Sequence, residues 1–204
     1  FVGNGPAGVK AIQTACPDIS IFLDLKFHDI PNTVAGAMRS AVSMGVQFVN
    51  VHATGGAEMM RLAQKTLNAE SAKAGVTAPQ LLAVTVLTSM NDDGLAQVGQ
   101  AVPAARQVVR LARLAKECGL AGVVCSAEEI ALIRTELGRT DLGDDFILMV
   151  PGIRPAGAAL GDQKRVMTPQ DAVSLGATHL VIGRPITEAA NVASAARDIL
   201  ASIS

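Results

Sequence analysis

Six short apolar runs rich in β-branched residues punctuate this chain, at 19–25, 46–51, 81–87, 122–125, 146–150 and 179–182. Between them lie segments of helical period. Across 104–118, Val108, Leu111, Ala112, Ala115 and Cys118 fall on one face, and Arg106, Arg110 and Arg113 fall on the other. Gly45, Gly75, Gly119, Gly138 and Gly176 stand where a helix would end before the next run, the usual place of a C-capping glycine. The runs recur at intervals of roughly 25–40 residues, the length of a βα unit. Near-continuous apolar strands joined by helical crossovers require a parallel sheet covered by helices. The expectation is one α/β domain over residues 1–204, with no linker or low-complexity segment.

Composition narrows the function. The chain has 204 residues, 50% of them hydrophobic, enough to bury a full core. Its net charge is −1 and only 2% of residues are aromatic, so nucleic acid would find neither a basic footprint nor stacking platforms. No apolar run approaches the roughly 20 residues needed to cross a bilayer. Cys16, Cys118 and Cys125 are odd in number and lie in apolar contexts, which suits reduced core thiols and a cytoplasmic location. No Cys or His pair has the spacing of a zinc site.

Ligands of parallel α/β folds bind at the C-terminal ends of the strands, and the polar residues collect there. The first run is followed by Asp24, Lys26, His28, Asp29, Asn32 and Thr33. The second leads to His52 and Thr54, the third to Thr88 and Ser89, and the fourth to Ser126. Pro151 and Arg154 follow the fifth, Gly183 and Arg184 the last. Side chains alternate along a strand, so Asp24 and Lys26 should share a face, with Asp29 able to reach the same region or a neighbouring subunit. An ammonium among carboxylates stays protonated, which suits a proton donor better than an amine nucleophile. An isolated D-x-K is also what a surface ion pair looks like. Here it closes a run too apolar for a surface edge.

The last two loops have the make-up of an anion site. Gly183 and Arg184 lie between a strand and a helix, where free N–H groups and a guanidinium suit a phosphate. Arg154 comes from the preceding unit, followed by the small-residue stretch 156–165, read as a lid that includes Gln163. Other residues have structural explanations. Ser126-Ala127-Glu128-Glu129 is a capping box, although Ser126 could also touch a ligand. Thr168-Pro169 reads as a helix start. Met44, Met59 and Met60 read as packing residues. His28 and His52 could pair with Asp24 and Asp29 around a metal, but Lys26 among them would repel a cation, which favours hydrogen bonding.

These residues carry a family resemblance. Asp24-Leu25-Lys26-Phe27-His28-Asp29-Ile30-Pro31-Asn32-Thr33 resembles the signature of the bacterial orotidine 5'-phosphate decarboxylases. So do Ala83-Val84-Thr85-Val86-Leu87-Thr88-Ser89-Met90, Val123-Val124-Cys125-Ser126-Ala127, Pro151-Gly152-Ile153-Arg154-Pro155 and Val181-Ile182-Gly183-Arg184-Pro185-Ile186. The match runs in order along the whole chain. D-x-K-x-x-D alone would be less specific, because related phosphosugar lyases and aldolases share it.

The resemblance implies a (β/α)8 TIM-barrel fold and cofactor-free, metal-free decarboxylation of orotidine 5'-phosphate to UMP. By the same resemblance, Asp24 lies near the substrate carboxylate and Lys26 protonates the C6 carbanion. Asp29 serves the partner subunit of a homodimer. Thr88, Arg154, Gln163, Gly183 and Arg184 bind the nucleotide, the last three around its phosphate, and Ser126 reads the pyrimidine edge. Asn32, Thr33 and Pro151 complete the expected substrate contacts. Against the family pattern, only about six of eight strands are visible, and the first segment, 6–16, is a helix. The expectation is therefore a fragment lacking an N-terminal β-α-β piece of roughly 30 residues, with a ribose-contacting Asp and a second catalytic Lys upstream. The alternatives are another lyase or aldolase of that superfamily, or an inactive phosphate-binding fragment.

Overall fold

The computed structural model describes Phe1 and residues 3–142, 145–155 and 167–203. Its elements alternate as the apolar runs require. The chain opens with α1 (Gly5–Ala15), then β1 (Phe22–Phe27), α2 (Pro31–Ser43), β2 (Phe48–His52) and α3 (Gly56–Ala74). It continues through β3 (Gln80–Val84), α4 (Asp92–Gln97), α5 (Ala104–Glu117), β4 (Gly122–Val124) and α6 (Ile130–Leu142). β5 (Ile147–Val150), α7 (Pro169–Ser174), β6 (His179–Leu180), α8 (Arg184–Thr187) and α9 (Val192–Ser202) complete it. The six strands form one parallel sheet in sequence order, β1 to β6.

Strand alternation divides the apolar residues into two layers. Leu23, Val49, Val51, Leu81, Ala83, Val123, Leu148 and Val150 face the helices and join the main core with Met38, Met59, Met60 and Leu67. Leu82, Val84, Val124, Ile147 and Met149 face the other way, packed with Phe22, Phe48 and Val181. The sheet curls around this inner layer, because Phe48 of β2 meets His179 of β6 with ring centroids 5.2 Å apart. Phe22 completes the plug, edge-on to Phe48 at 6.3 Å. The result is an open half-barrel.

The α5 pattern is realised as read: Val108, Leu111, Ala112 and Ala115 are buried, and Arg106, Arg110 and Arg113 are exposed. Met59 and Met60 are fully buried, and Met44 packs against the core. Gly75 caps α3 in the left-handed conformation, φ 66°, ψ 30°, which glycine alone adopts without a steric cost. Gly138 ends the first helical stretch of α6 at φ 61°, ψ 162°, and beyond that kink a second stretch runs to Leu142. One expectation needs correction. Cys16 is no core thiol, since it follows α1, whose sole buried residue is Val9. Cys118 and Cys125 are buried, and burial pushes both thiols up, away from thiolate chemistry.

β1 departs from a regular ladder. Leu23 pairs with Val49 and Phe27 with Val51, so Asp24, Leu25 and Lys26 stand opposite the single residue Asn50. Within this bulge Lys26 has φ 50°, the one non-glycine residue with positive φ among those described. The first strand begins at Phe22, later than the apolar run that starts at residue 19, and the D-x-K lies within it.

Candidate active site

Bulges re-aim side chains, and left-handed backbone at a long side chain costs about 1–3 kcal/mol. Both features meet at Lys26. Its Nζ donates to Asp24 Oδ1 at 2.7 Å. Its backbone N–H, which the bulge removes from the ladder, donates to Asn50 Oδ1 at 2.8 Å. Asn50 Nδ2 in turn donates to the same Asp24 Oδ1 at 2.6 Å. The ion pair is more than a third exposed (38% and 39%), so it contributes little to stability.

Asp24 and Lys26 form one wall of a pocket of about 180 Å³ at the C-terminal end of the strands. The remaining lining is Phe22, Val84, Val86, Leu87, Thr88, Val124, Cys125, Pro151 and Val181. It is an apolar chamber with one ammonium and one carboxylate, a combination that concentrates electrostatic effects on whatever enters. A larger cavity of about 500 Å³ opens at the opposite strand ends, around Val46, Gln47, Val76 and Pro79. No ionisable side chain lines it, so it offers no acid–base chemistry.

The pocket thus gathers Asp24, Lys26, Thr88 and Pro151 of the residues expected at the site. The others among the described residues lie outside its lining. Asp29 is exposed and its Oδ1 accepts the Ile30 N–H at 2.6 Å, at the entry to α2. Asn32 and Thr33 are exposed on the first turn of α2. Ser126 is fully buried and serves as the cap: its Oγ accepts the Glu128 N–H and its N–H donates to Glu129. Arg154 is buried, with Nη1 donating to the Ile153 carbonyl at 2.9 Å. Gly183 begins the four-residue α8, on which Arg184 is exposed. Gln163 and the stretch 156–165 lie outside the described residues. Thr168 caps α7 as read.

His28 and His52 stack with ring centroids 5.4 Å apart. Among the described residues, no group of three or more His, Cys, Asp or Glu is placed to hold a metal ion. Burial, then His28 and Lys26, hold the His52 imidazole below its usual value of 6.5, with Asp24 acting the other way. Burial lowers His179 too. A lowered folded value means the unfolded chain takes up the proton first as pH falls. The stability these rings contribute is therefore complete above pH 6.5 and declines below it. Urea unfolding at a series of pH values should show that decline, and His52→Asn should flatten it. An unaltered slope in the variant would remove His52 from this account.

Asn50 was not anticipated. Its signal was present: it is the polar residue at the centre of Phe48-Val49-Asn50-Val51-His52, on the face shared by Phe48 and His52. The pocket's apolar wall was missed too, because its residues come from five strands or strand ends.

Residues 1–199 match the family described as orotidine 5'-phosphate decarboxylase / HUMPS family. The chain belongs to this family. It is 50% identical over 203 residues to the orotidine 5'-phosphate decarboxylase of Rhodospirillum rubrum, covering 100% of this chain and 80% of that protein. Against the enzyme of the same name from Shewanella sediminis the identity is 52% over 204 residues, covering 100% and 82%. The crystal structure of orotidine 5'-phosphate decarboxylase from Lactobacillus acidophilus superimposes with a TM-score of 0.82 at 38% identity, over 98% of this chain and 81% of that one. The half-barrel is thus built on the TIM-barrel plan of the decarboxylase / HUMPS family.

Proposed function

We propose that this chain decarboxylates orotidine 5'-phosphate to UMP, without a cofactor, and that Lys26 is the proton donor. The observation that carries this reading is the Lys26–Asp24 ion pair set into a pocket whose remaining walls are mostly apolar. A substrate carboxylate brought beside Asp24 meets a like charge, and that repulsion is relieved as carbon dioxide departs. The C6–carboxylate bond breaks, its electron pair stays on C6, and a proton passes from Lys26 Nζ to C6. Lys26 then recovers a proton from water. A fixed ammonium favours the carbanion before the proton moves and needs no reorganisation to do so.

The remaining roles follow the family pattern. Thr88 and Pro151 hold the nucleoside, Ser126 reads the pyrimidine edge, and Asn32 and Thr33 belong to the substrate-binding set. Arg154, Gln163, Gly183 and Arg184 hold the nucleotide, the last three its phosphate. Ser126 Oγ acts as an acceptor in its capping box, and a hydroxyl that accepts can also donate its own proton. Asp29 would act in the partner subunit of a homodimer. In support, Asp29 is exposed and lies outside the pocket lining of its own chain. A biosynthetic role in the cytoplasm accords with the absence, among the described residues, of any helix long and apolar enough to cross a membrane.

Mixing the chain with orotidine 5'-phosphate tests this directly. The orotate absorbance should decay with stoichiometric UMP and carbon dioxide. Absorbance that stays constant at high protein concentration would overturn the proposal.

A further inference from the structure

We infer that Asn50 is the positioning residue of this site: its amide locks the bulge that sets Lys26 against Asp24. Asn50 is fully buried in the centre of β2, opposite three residues of β1. A buried amide must find partners, and this one spends both of its functional atoms on the Asp24–Lys26 pair. The Oδ1 atom takes the backbone N–H that the bulge leaves without a ladder carbonyl, holding Lys26 at φ 50°. The Nδ2 atom donates to the carboxylate oxygen that also receives Lys26 Nζ. Lys26 N, Asn50, Asp24 and Lys26 Nζ thereby close a ring of three hydrogen bonds. Neither end of the ion pair can turn without breaking one of them.

The division of labour between the two amide atoms makes the inference testable. It rests on the reading of Lys26 as proton donor, so turnover and local structure are measured separately. In Asn50→Ala both contacts vanish. The Lys26 amide should exchange with solvent about 10-fold faster or more relative to the amides of Val49 and Val51. Turnover should fall about 10²-fold, with KM within about threefold. Asn50→Asp keeps an acceptor for the Lys26 N–H but sets a second carboxylate against Asp24 where the amide donor stood, and that repulsion drives Asp24 away from its place beside Lys26. Its Lys26 amide should stay protected while kcat falls as far as in the alanine variant.

A merely structural role predicts a lower melting temperature with unchanged kcat per folded molecule and no selective change at the Lys26 amide. That result in either variant would overturn the inference. Should Asn50→Ala fail to fold, the near-isosteric Asn50→Asp decides alone, and wild-type kcat in it counts against the positioning role. Should the unsubstituted chain release no carbon dioxide, the decarboxylase reading fails. The exchange measurement still judges the clamp, and an unchanged Lys26 amide in Asn50→Ala overturns it.

Discussion

Replacing Lys26 with alanine should lower turnover by about 10²–10⁴-fold, the range a positioned general acid contributes, while nucleotide binding survives. The split follows from where the lysine acts. Its ammonium sits beside Asp24 in a pocket whose remaining walls are mostly apolar, so its chief effect is on charge that develops during reaction. Arginine should not rescue it, because a guanidinium holds its proton too tightly to deliver one at neutral pH. Lys26→Gly sharpens the test. Glycine accepts φ 50° freely, and the exposed ion pair it loses is worth little. That variant should be about 1 kcal/mol more stable than the parent and equally inactive. A protein that gains stability on losing its proton donor would show strain held at the site for function. Retained turnover in either variant would contradict the role of Lys26, and a clear loss of stability in Lys26→Gly would contradict the strain.

The largest effect on stability is expected at Gly122. This residue pairs with Ile147 in the β4–β5 ladder, and a Cβ there would collide with the Ile147 carbonyl oxygen and carbonyl carbon. Both are backbone atoms of a buried strand, which can move only by parting the two strands. Gly122→Ala should therefore cost about 3 kcal/mol, the upper part of the range for overpacking. For a domain of this size that is a fall in melting temperature of about 10 °C. Gly55 is a useful contrast, because a Cβ there meets the terminal methyl of Met59. A methionine end can swing aside, so Gly55→Ala should shift the melting temperature by only about 2 °C. Equal melting temperatures for the two variants would mean that the β4–β5 spacing is softer than it looks.

Much of the fold was readable because the information is local. Alternating apolar runs and helical periods need only a few neighbouring residues to declare themselves, and α5 buries the face that its period indicates. The Ser126 and Thr168 caps are equally local, since each bond spans two or three residues. What escaped reading is the product of pairing between distant segments. The β1 bulge exists only in register with β2, so nothing within Asp24-Leu25-Lys26 announces the left-handed lysine. Asn50 stands out locally only as a polar residue in an apolar strand; its role escaped reading because its partners lie 24 and 26 residues away. Gly138 shows a different limit: the glycine ends one helical stretch as read, but nothing local announces the second stretch that runs on to Leu142 before β5. Cys16 misled because a small apolar context implies burial only if a second layer covers it, and α1 buries Val9 alone.

The most direct test is the structure of this chain with UMP bound. The account predicts the uracil ring in the pocket between Lys26, Thr88 and Pro151, with Lys26 Nζ within about 3.5 Å of ring C6, near-attack distance for proton transfer. It also predicts the phosphate directed toward Gly183 and Arg184. A nucleotide seated in the cavity at the opposite strand ends, or a uracil ring with C6 turned away from Lys26, would contradict it.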